Sequence, residues 1–147
     1  MVYVGIDPGS KSGSYASLDD GHIEVYPWDD VFFVHHLYTL KETGDGIIAC
    51  VEKVGPMPKQ GISSTWAFAK NAGFIEGALC GLGIPYQLVP PRVWKKEFSL
   101  TSDKNKSIDV CRRLFPEINL KRTNRCRVDD NNFAEAALLA EYARRKL

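Results

Sequence analysis

The sequence predicts an α/β domain: a mixed five-stranded sheet with helices packed on it. Three observations carry this. The chain opens with three strand-length apolar or alternating runs in close succession, at 2–7, about 13–18 and about 22–27, before any helical spacing begins. Two more strand-like runs, 47–52 and 86–89, are each followed by helix-forming sequence. The chain has 147 residues, 44% hydrophobic and 25% charged, which fits one folded domain over 1–147 with a core of its own.

The elements follow in order. Asp19-Asp20-Gly21 is a hairpin signal between the second and third strands, so the opening is an antiparallel meander that Pro27 ends. Asp29 and Asp30 can cap a helix through Phe32, Phe33, His36, Leu37 and Leu40, and Thr43-Gly44-Asp45-Gly46 breaks it. Ile47-Ile48-Ala49-Cys50-Val51-Glu52 is a continuous apolar run of the kind buried on both faces of a sheet. A Pro- and Gly-rich loop spans 53–62. Ser63 and Ser64 then offer caps for a helix of about 65–81, whose small residues permit close backbone approach. Gly81-Leu82-Gly83-Ile84-Pro85 stops it before the fifth, short strand. One or two helical turns are expected at Val93–Phe98, then a helix of about 104–114 capped by Ser102-Asp103, a basic loop from Leu120 to Arg127, and a final helix of about 131–146.

The net charge of +1 hides an asymmetry. Residues 1–90 hold five Lys/Arg against ten Asp/Glu, whereas residues 91–127 hold eleven against four. An acidic front half and a basic segment suit an enzyme that binds a polyanion and cuts it with metal, although a solvated basic face gives the same count. Cys50, Cys80, Cys111 and Cys126 are scattered and His22, His35 and His36 lack ligand spacing, so neither a zinc site nor a disulfide framework is expected. No apolar stretch spans a bilayer and no leader precedes the first strand, so the expected location is the cytosol.

The chemistry lies in the acids. Asp7 ends the first strand and runs into the turn Pro8-Gly9-Ser10; a carboxylate there must be solvated, paired or bound to a cation, because burying it alone costs several kcal/mol. Glu52 ends the fourth strand in the same way, and the two stand side by side if those strands are neighbours. A third station is the 129–135 cluster opening the last helix, where positions 131 and 135 share a face. A few carboxylates completed by water and phosphate suit Mg²⁺, and a two-ion site would serve phosphodiester hydrolysis. An Asp that only caps a turn and a Glu placed by chance at a loop start are the plain alternatives.

Gly5-Ile6-Asp7-Pro8-Gly9, Val51-Glu52, Trp94-Lys95, Asp103-Lys104 and Ala134-Glu135-Ala136, in that order, resemble the RuvC-type Holliday junction resolvases, and most of all their phage and prophage branch. The resemblance covers nearly the whole chain. It implies an RNase H-like fold with helices on both faces of the sheet, a homodimer, and Mg²⁺- or Mn²⁺-dependent paired nicking of four-way junctions with two ions per active site. By motif position it implies Asp7, Glu52 and Glu135 as metal ligands, with position 131 completing the catalytic set. It implies Lys95 and Lys104 as phosphate or active-site lysines, and a 56–62 loop, with Lys59 and Gln60, that approaches the crossover. Lys106 joins them as a DNA contact on the charge count.

One position departs from the pattern. That branch generally carries Asp four residues before the acid of the Ala-Glu-Ala segment, and this chain has Asn131. A neutral amide binds a cation less well than a carboxylate, so cleavage is expected to be impaired. The two explanations are a register shift that makes Asp130 the ligand and, preferred, an Asp-to-Asn change of the kind made to hold uncut DNA. A branched-DNA-binding module that no longer cuts is the alternative function. The first strand and turn also resemble the phosphate motif of the actin, sugar-kinase and heat-shock ATPase superfamily, but 147 residues leave no room for that fold's second domain.

Overall fold

The computed structural model describes all residues 1–147. Its sheet has the order β3-β2-β1-β4-β5, built from β1 (Val2–Asp7), β2 (Ser14–Asp19), β3 (His22–Pro27), β4 (Ile47–Glu52) and β5 (Tyr86–Val89). The β1–β2 and β2–β3 pairs are antiparallel, and β4 is parallel to both β1 and β5. The Asp20-Gly21 turn joining β2 to β3 takes φ values of 45° and 83°, the paired positive φ that a two-residue hairpin turn demands.

Helices cover both faces. On one side, α1 (Asp30–Glu42) and α2 (Ile62–Gly81) bury Phe33, Leu37, Ile75 and Leu79 against Val2, Val4, Ile6, Ala49 and Val51. On the other, α3 (Pro91–Glu97), α4 (Lys104–Leu114) and α5 (Asn131–Lys146) pack Trp94, Cys111 and the apolar body of α5 against Ala16, Leu18 and Cys50. Central strands sandwiched in this way need apolar side chains on both faces, which is why β1 and β4 read as unbroken apolar runs.

The α5 face is where the fold is tightest. Gly5 points at the middle of that helix, where an added Cβ would overlap the Ala136 carbonyl oxygen and the Ala140 amide nitrogen. Gly9 and Gly13 pack equally closely across the turn after β1; a Cβ on Gly13 would overlap the Gly9 carbonyl. Glycine alone fits these approaches.

The helix starts follow the expected chemistry, with one correction. Asp29 caps α1 by accepting from the Phe32 amide at 2.8 Å, and Asp103 caps α4 through the Asn105 amide at 2.9 Å. For α2 the expected Ser63 and Ser64 caps are not used. The helix begins at Ile62 after Gly61, with no side-chain cap, and both serines lie exposed within its first turn. All four cysteines are free thiols. No helix is long and apolar enough to cross a membrane.

Candidate active site

Side-chain alternation sets the site. On β1 the residues Tyr3, Gly5 and Asp7 face α5, because Val2, Val4 and Ile6 pack on the α1–α2 side. On β4 the same parity turns Cys50 and Glu52 toward α5. The parallel register pairs Ile6 with Val51, so the next residues, Asp7 and Glu52, leave the sheet side by side on one face. The third acid, Glu135, comes from α5 as the residue before Ala136, whose carbonyl lies against Gly5, and its charge acts on Asp7 together with that of Glu52.

Burial makes this grouping costly. Asp7 is only 9% exposed and Glu135 8%. Burial, and then the Glu52 and Glu135 carboxylates, push the Asp7 carboxyl well above its ordinary 3.8; the Lys95 ammonium acts in the opposite direction. Burial also raises Glu52 above its ordinary 4.5, a hydrogen bond from Trp94 opposes it, and Glu135 raises it further.

Helix α3 reads two of the acids with consecutive residues. The fully buried Trp94 donates its indole N–H to Glu52 Oε2 at 2.7 Å, and Lys95 Nζ lies 3.0 Å from Glu135 Oε1. Pro91 at the first helical position starts this helix, so the backbone turns directly out of β5 and over the end of β4. In this structure no group of three Asp, Glu, His or Cys side chains stands close enough together to hold a metal ion.

The start of α5 decides the roles of the neighbouring polar residues. Asp130 is its N-cap, accepting from the Asn132 amide at 2.8 Å, and its other oxygen takes a 2.6 Å bond from Arg122 Nε. It is therefore committed to holding the helix, and the register-shift explanation is not the arrangement found. Asn131 occupies the first helical position, four residues before Glu135, and its Oδ1 is buried without any hydrogen-bond partner. Asp129 is paired with Arg112 at 2.6 Å and Lys121 at 3.2 Å.

Arg122 was legible only as one charge in a basic loop. Its guanidinium in fact also bonds the Ser12 carbonyl at 2.9 Å and the Gly13 carbonyl at 3.3 Å, and it covers the Phe133 ring at 4.9 Å. Asn132 Nδ2 donates to the Ser12 carbonyl at 2.9 Å, and Ser14 Oγ donates to the Asn132 carbonyl at 2.8 Å. Together these bonds tie the turn after Asp7 to the first turn of α5. Nothing in residue spacing could have found them, because the Arg122 partners lie 109 and 110 positions upstream.

The basic surface is smaller than the count implied. Of the eleven cations in 91–127, Lys95, Arg112, Lys121 and Arg122 pair with Glu135, Asp129 and Asp130. The other seven, Lys104 and Lys106 among them, are exposed. Lys59 is exposed in the β4–α2 loop, where Gln60 folds back so that its side-chain oxygen accepts from the Met57 amide at 3.3 Å.

The donor set fits a hard divalent cation. Buried carboxylates with too little compensating positive charge, and an orphaned amide oxygen at the first turn of the same helix, are all oxygen ligands of the type Mg²⁺ and Mn²⁺ take.

No protein-family model matches the sequence, and no curated protein matches it. Solved structures do match. A Thermus thermophilus RuvC in complex with Holliday junction substrate superposes with a TM-score of 0.67 at 16% identity, covering 99% of this chain and 96% of that one. Another T. thermophilus RuvC structure gives 0.63 at 18% identity, with the same coverage of 99% and 96%. The yeast mitochondrial Holliday junction resolvase Ydc2 gives 0.51 at 18% identity, covering 93% of this chain and 75% of that one. The five-stranded mixed sheet with helices on both faces is thus the RuvC fold, an RNase H-like architecture, and it extends over essentially the whole chain.

Proposed function

We propose that this single-domain chain is a metal-dependent endonuclease that resolves four-way DNA junctions by paired symmetric nicks. The observation that carries the proposal is the side-by-side exit of Asp7 and Glu52 from β1 and β4, within the electrostatic reach of Glu135 on α5, in a fold shared with a RuvC solved on Holliday junction substrate. Such acids have no role in the core. Their burial is costly in the free protein, where the Trp94 N–H and the Lys95 ammonium offset part of it, and a bound cation would offset more.

Asp7, Glu52 and Glu135 would hold Mg²⁺ or Mn²⁺, two ions per site, with the Asn131 amide oxygen as a weaker fourth donor. When bound, the ions supply an acidified water and charge stabilisation on both oxygens of an in-line displacement. Trp94 fixes the orientation of Glu52, and the Arg122 bonds fix α5 relative to the turn after Asp7. Lys59, Gln60, Lys104 and Lys106 hold DNA phosphates, and Lys95 stands at the edge of the acids where a phosphate would approach.

Paired nicks require two sites related by a two-fold axis. The outward face of α2 suits this, since Ile62 and Trp66 are 91% and 73% exposed and a Cβ on Gly73 or Gly77 would meet nothing within 4 Å. The chain acts as a homodimer in the cytoplasm. Sedimentation at micromolar concentration checks the dimer, and a monomer both free and on DNA would exclude paired nicking.

The deciding experiment incubates a mobile four-way junction with Mg²⁺ and the parent chain, Asp7→Asn or Asn131→Asp. The expected result is junction binding by all three, no cleavage by Asp7→Asn, and fastest cleavage by Asn131→Asp. Equal cutting by the parent and Asp7→Asn would sink the metal-site proposal. One observation, the neutral Asn131 where a fourth acid would complete the site, favours a second reading as a junction-binding module that does not cut; binding without cleavage by the parent, restored by Asn131→Asp, selects it.

A further inference from the structure

We infer that the Lys95 ammonium is the built-in counter-cation of the acid cluster in the metal-free protein, and that a divalent ion enters only by taking Glu135 away from it. The inference rests on the reading of the acids as a cation site.

Lys95 Nζ and Glu135 Oε1 are 3.0 Å apart, and the Glu135 side chain is 11% exposed while that of Lys95 is 32% exposed. The lysine therefore enters from the solvent side and covers a carboxylate that has little other access to water. It also lies over the Trp94 ring at 5.2 Å, which steadies the charge above the indole that holds Glu52. Its field acts on Asp7 and Glu52 as well, so one ammonium faces three carboxylates. A net deficit of positive charge remains, which is the condition under which a divalent cation binds in preference.

As the side chains stand, Glu52 is bonded to Trp94 and Glu135 to Lys95, and the acids form no group that would hold an ion. Glu135 is turned to Lys95 in place of an ion. An ion that captures Glu135 breaks this pair and leaves the ammonium beside the site with no partner, so metal loading and the creation of an anion-attracting group are one event. Lys95 is then a positioning residue for the metal-free state and a phosphate-facing charge for the loaded one.

The test uses the metal alone, without DNA. The full chain, stripped of divalent ions, is titrated with MnCl₂ by calorimetry and melted with and without Mn²⁺. Lys95→Met should bind Mn²⁺ about tenfold more tightly than the parent, since one opposing charge is gone, and should melt lower in chelator but gain more from Mn²⁺. Lys95→Gln, which keeps a hydrogen-bond donor without charge, should behave like Lys95→Met and covers the case in which the latter fails to fold. Lys95→Arg, which keeps the charge, should bind no more tightly than the parent. Equal affinity in the parent and the uncharged variants overturns the inference and leaves the cation site standing, provided Asp7→Asn binds Mn²⁺ more weakly. No Mn²⁺ binding by any of these proteins overturns both.

Discussion

The backbone of Gly5 lies against the carbonyl of Ala136 with no space for a side chain between them. That contact sets the distance between β1 and α5, and thus between Asp7, two residues along the strand, and Glu135, the residue before Ala136. Gly5→Ala must push the helix off the sheet or kink the strand, and overpacking at a backbone contact costs about 3 kcal/mol or more. Thermal melting should show this loss, and any folded fraction should have lost Mg²⁺-dependent cleavage. A variant that melts with the parent would mean that α5 has slack the geometry does not suggest.

This contact also shows what the sequence could and could not reveal. The limits of β1 and β4 were legible because Val2–Asp7 and Ile47–Glu52 are apolar on both faces and each ends on an acid, so the side-by-side exit of Asp7 and Glu52 needed only the strands to be neighbours. The start of α2 was not legible. Ser63 and Ser64 look like caps for a helix from about 65, yet the helix opens at Ile62, about three residues earlier, on an uncapped turn after Gly61. Charge counting was coarser: Arg122 was one cation among the eleven of the basic segment and is an internal brace, and Lys95, expected from the resemblance as a phosphate or active-site lysine, pairs with Glu135 forty residues on. Pairings between distant residues leave no local periodicity, so composition alone cannot separate a solvated cation from a committed one.

Stability should report the buried Asp7 directly. Its folded-state pKa lies above its ordinary 3.8, through burial first and then through Glu52 and Glu135. Below that ordinary value both folded and unfolded chains carry the proton and no penalty exists. As pH rises, the unfolded chain releases the proton while the folded one retains it, so relative stability is lost until the folded pKa is passed. Asp7→Asn lacks this loss. In chelator, its Tm should match the parent near pH 3.8 and exceed it by about 2 °C or more at neutral pH, with Mg²⁺ narrowing the gap. A gap independent of pH would mean that Asp7 titrates normally.

Salt dependence should locate the DNA surface. With Lys95, Arg112, Lys121 and Arg122 paired with acids, exposed cations such as Lys104 and Lys106 are the ones the proposed function assigns to counterion-releasing contacts. Removing both by Lys104→Ala and Lys106→Ala should flatten the log–log salt slope of junction binding by up to about 1.8, the value for two lost phosphate contacts. Arg112→Ala should change that slope little and lower stability instead, because its bond to Asp129 is 2.6 Å and holds the approach to α5. An unchanged slope in the double variant would place the DNA elsewhere.

The last expectation concerns the first turn of α5. Asn131 Oδ1 is buried with no donor facing it, one turn before Glu135, whereas Asp130 is already bonded to two backbone amides and to Arg122. Asn131→Asp converts an idle oxygen into a fourth carboxylate. In chelator it should lower the Tm, because another buried negative charge joins Asp7, Glu52 and Glu135. With Mg²⁺ it should raise the cleavage rate at least about tenfold, a demand of only about 1.4 kcal/mol on the barrier. Asp130→Ala should act differently: it removes an N-cap, costs about 1 kcal/mol of stability with or without metal, and changes cleavage far less in the fraction that stays folded. The reverse ranking, with Asp130 essential for Mg²⁺ binding and Asn131→Asp silent, would mean that the α5 start unwinds on metal loading and that the cap becomes the ligand.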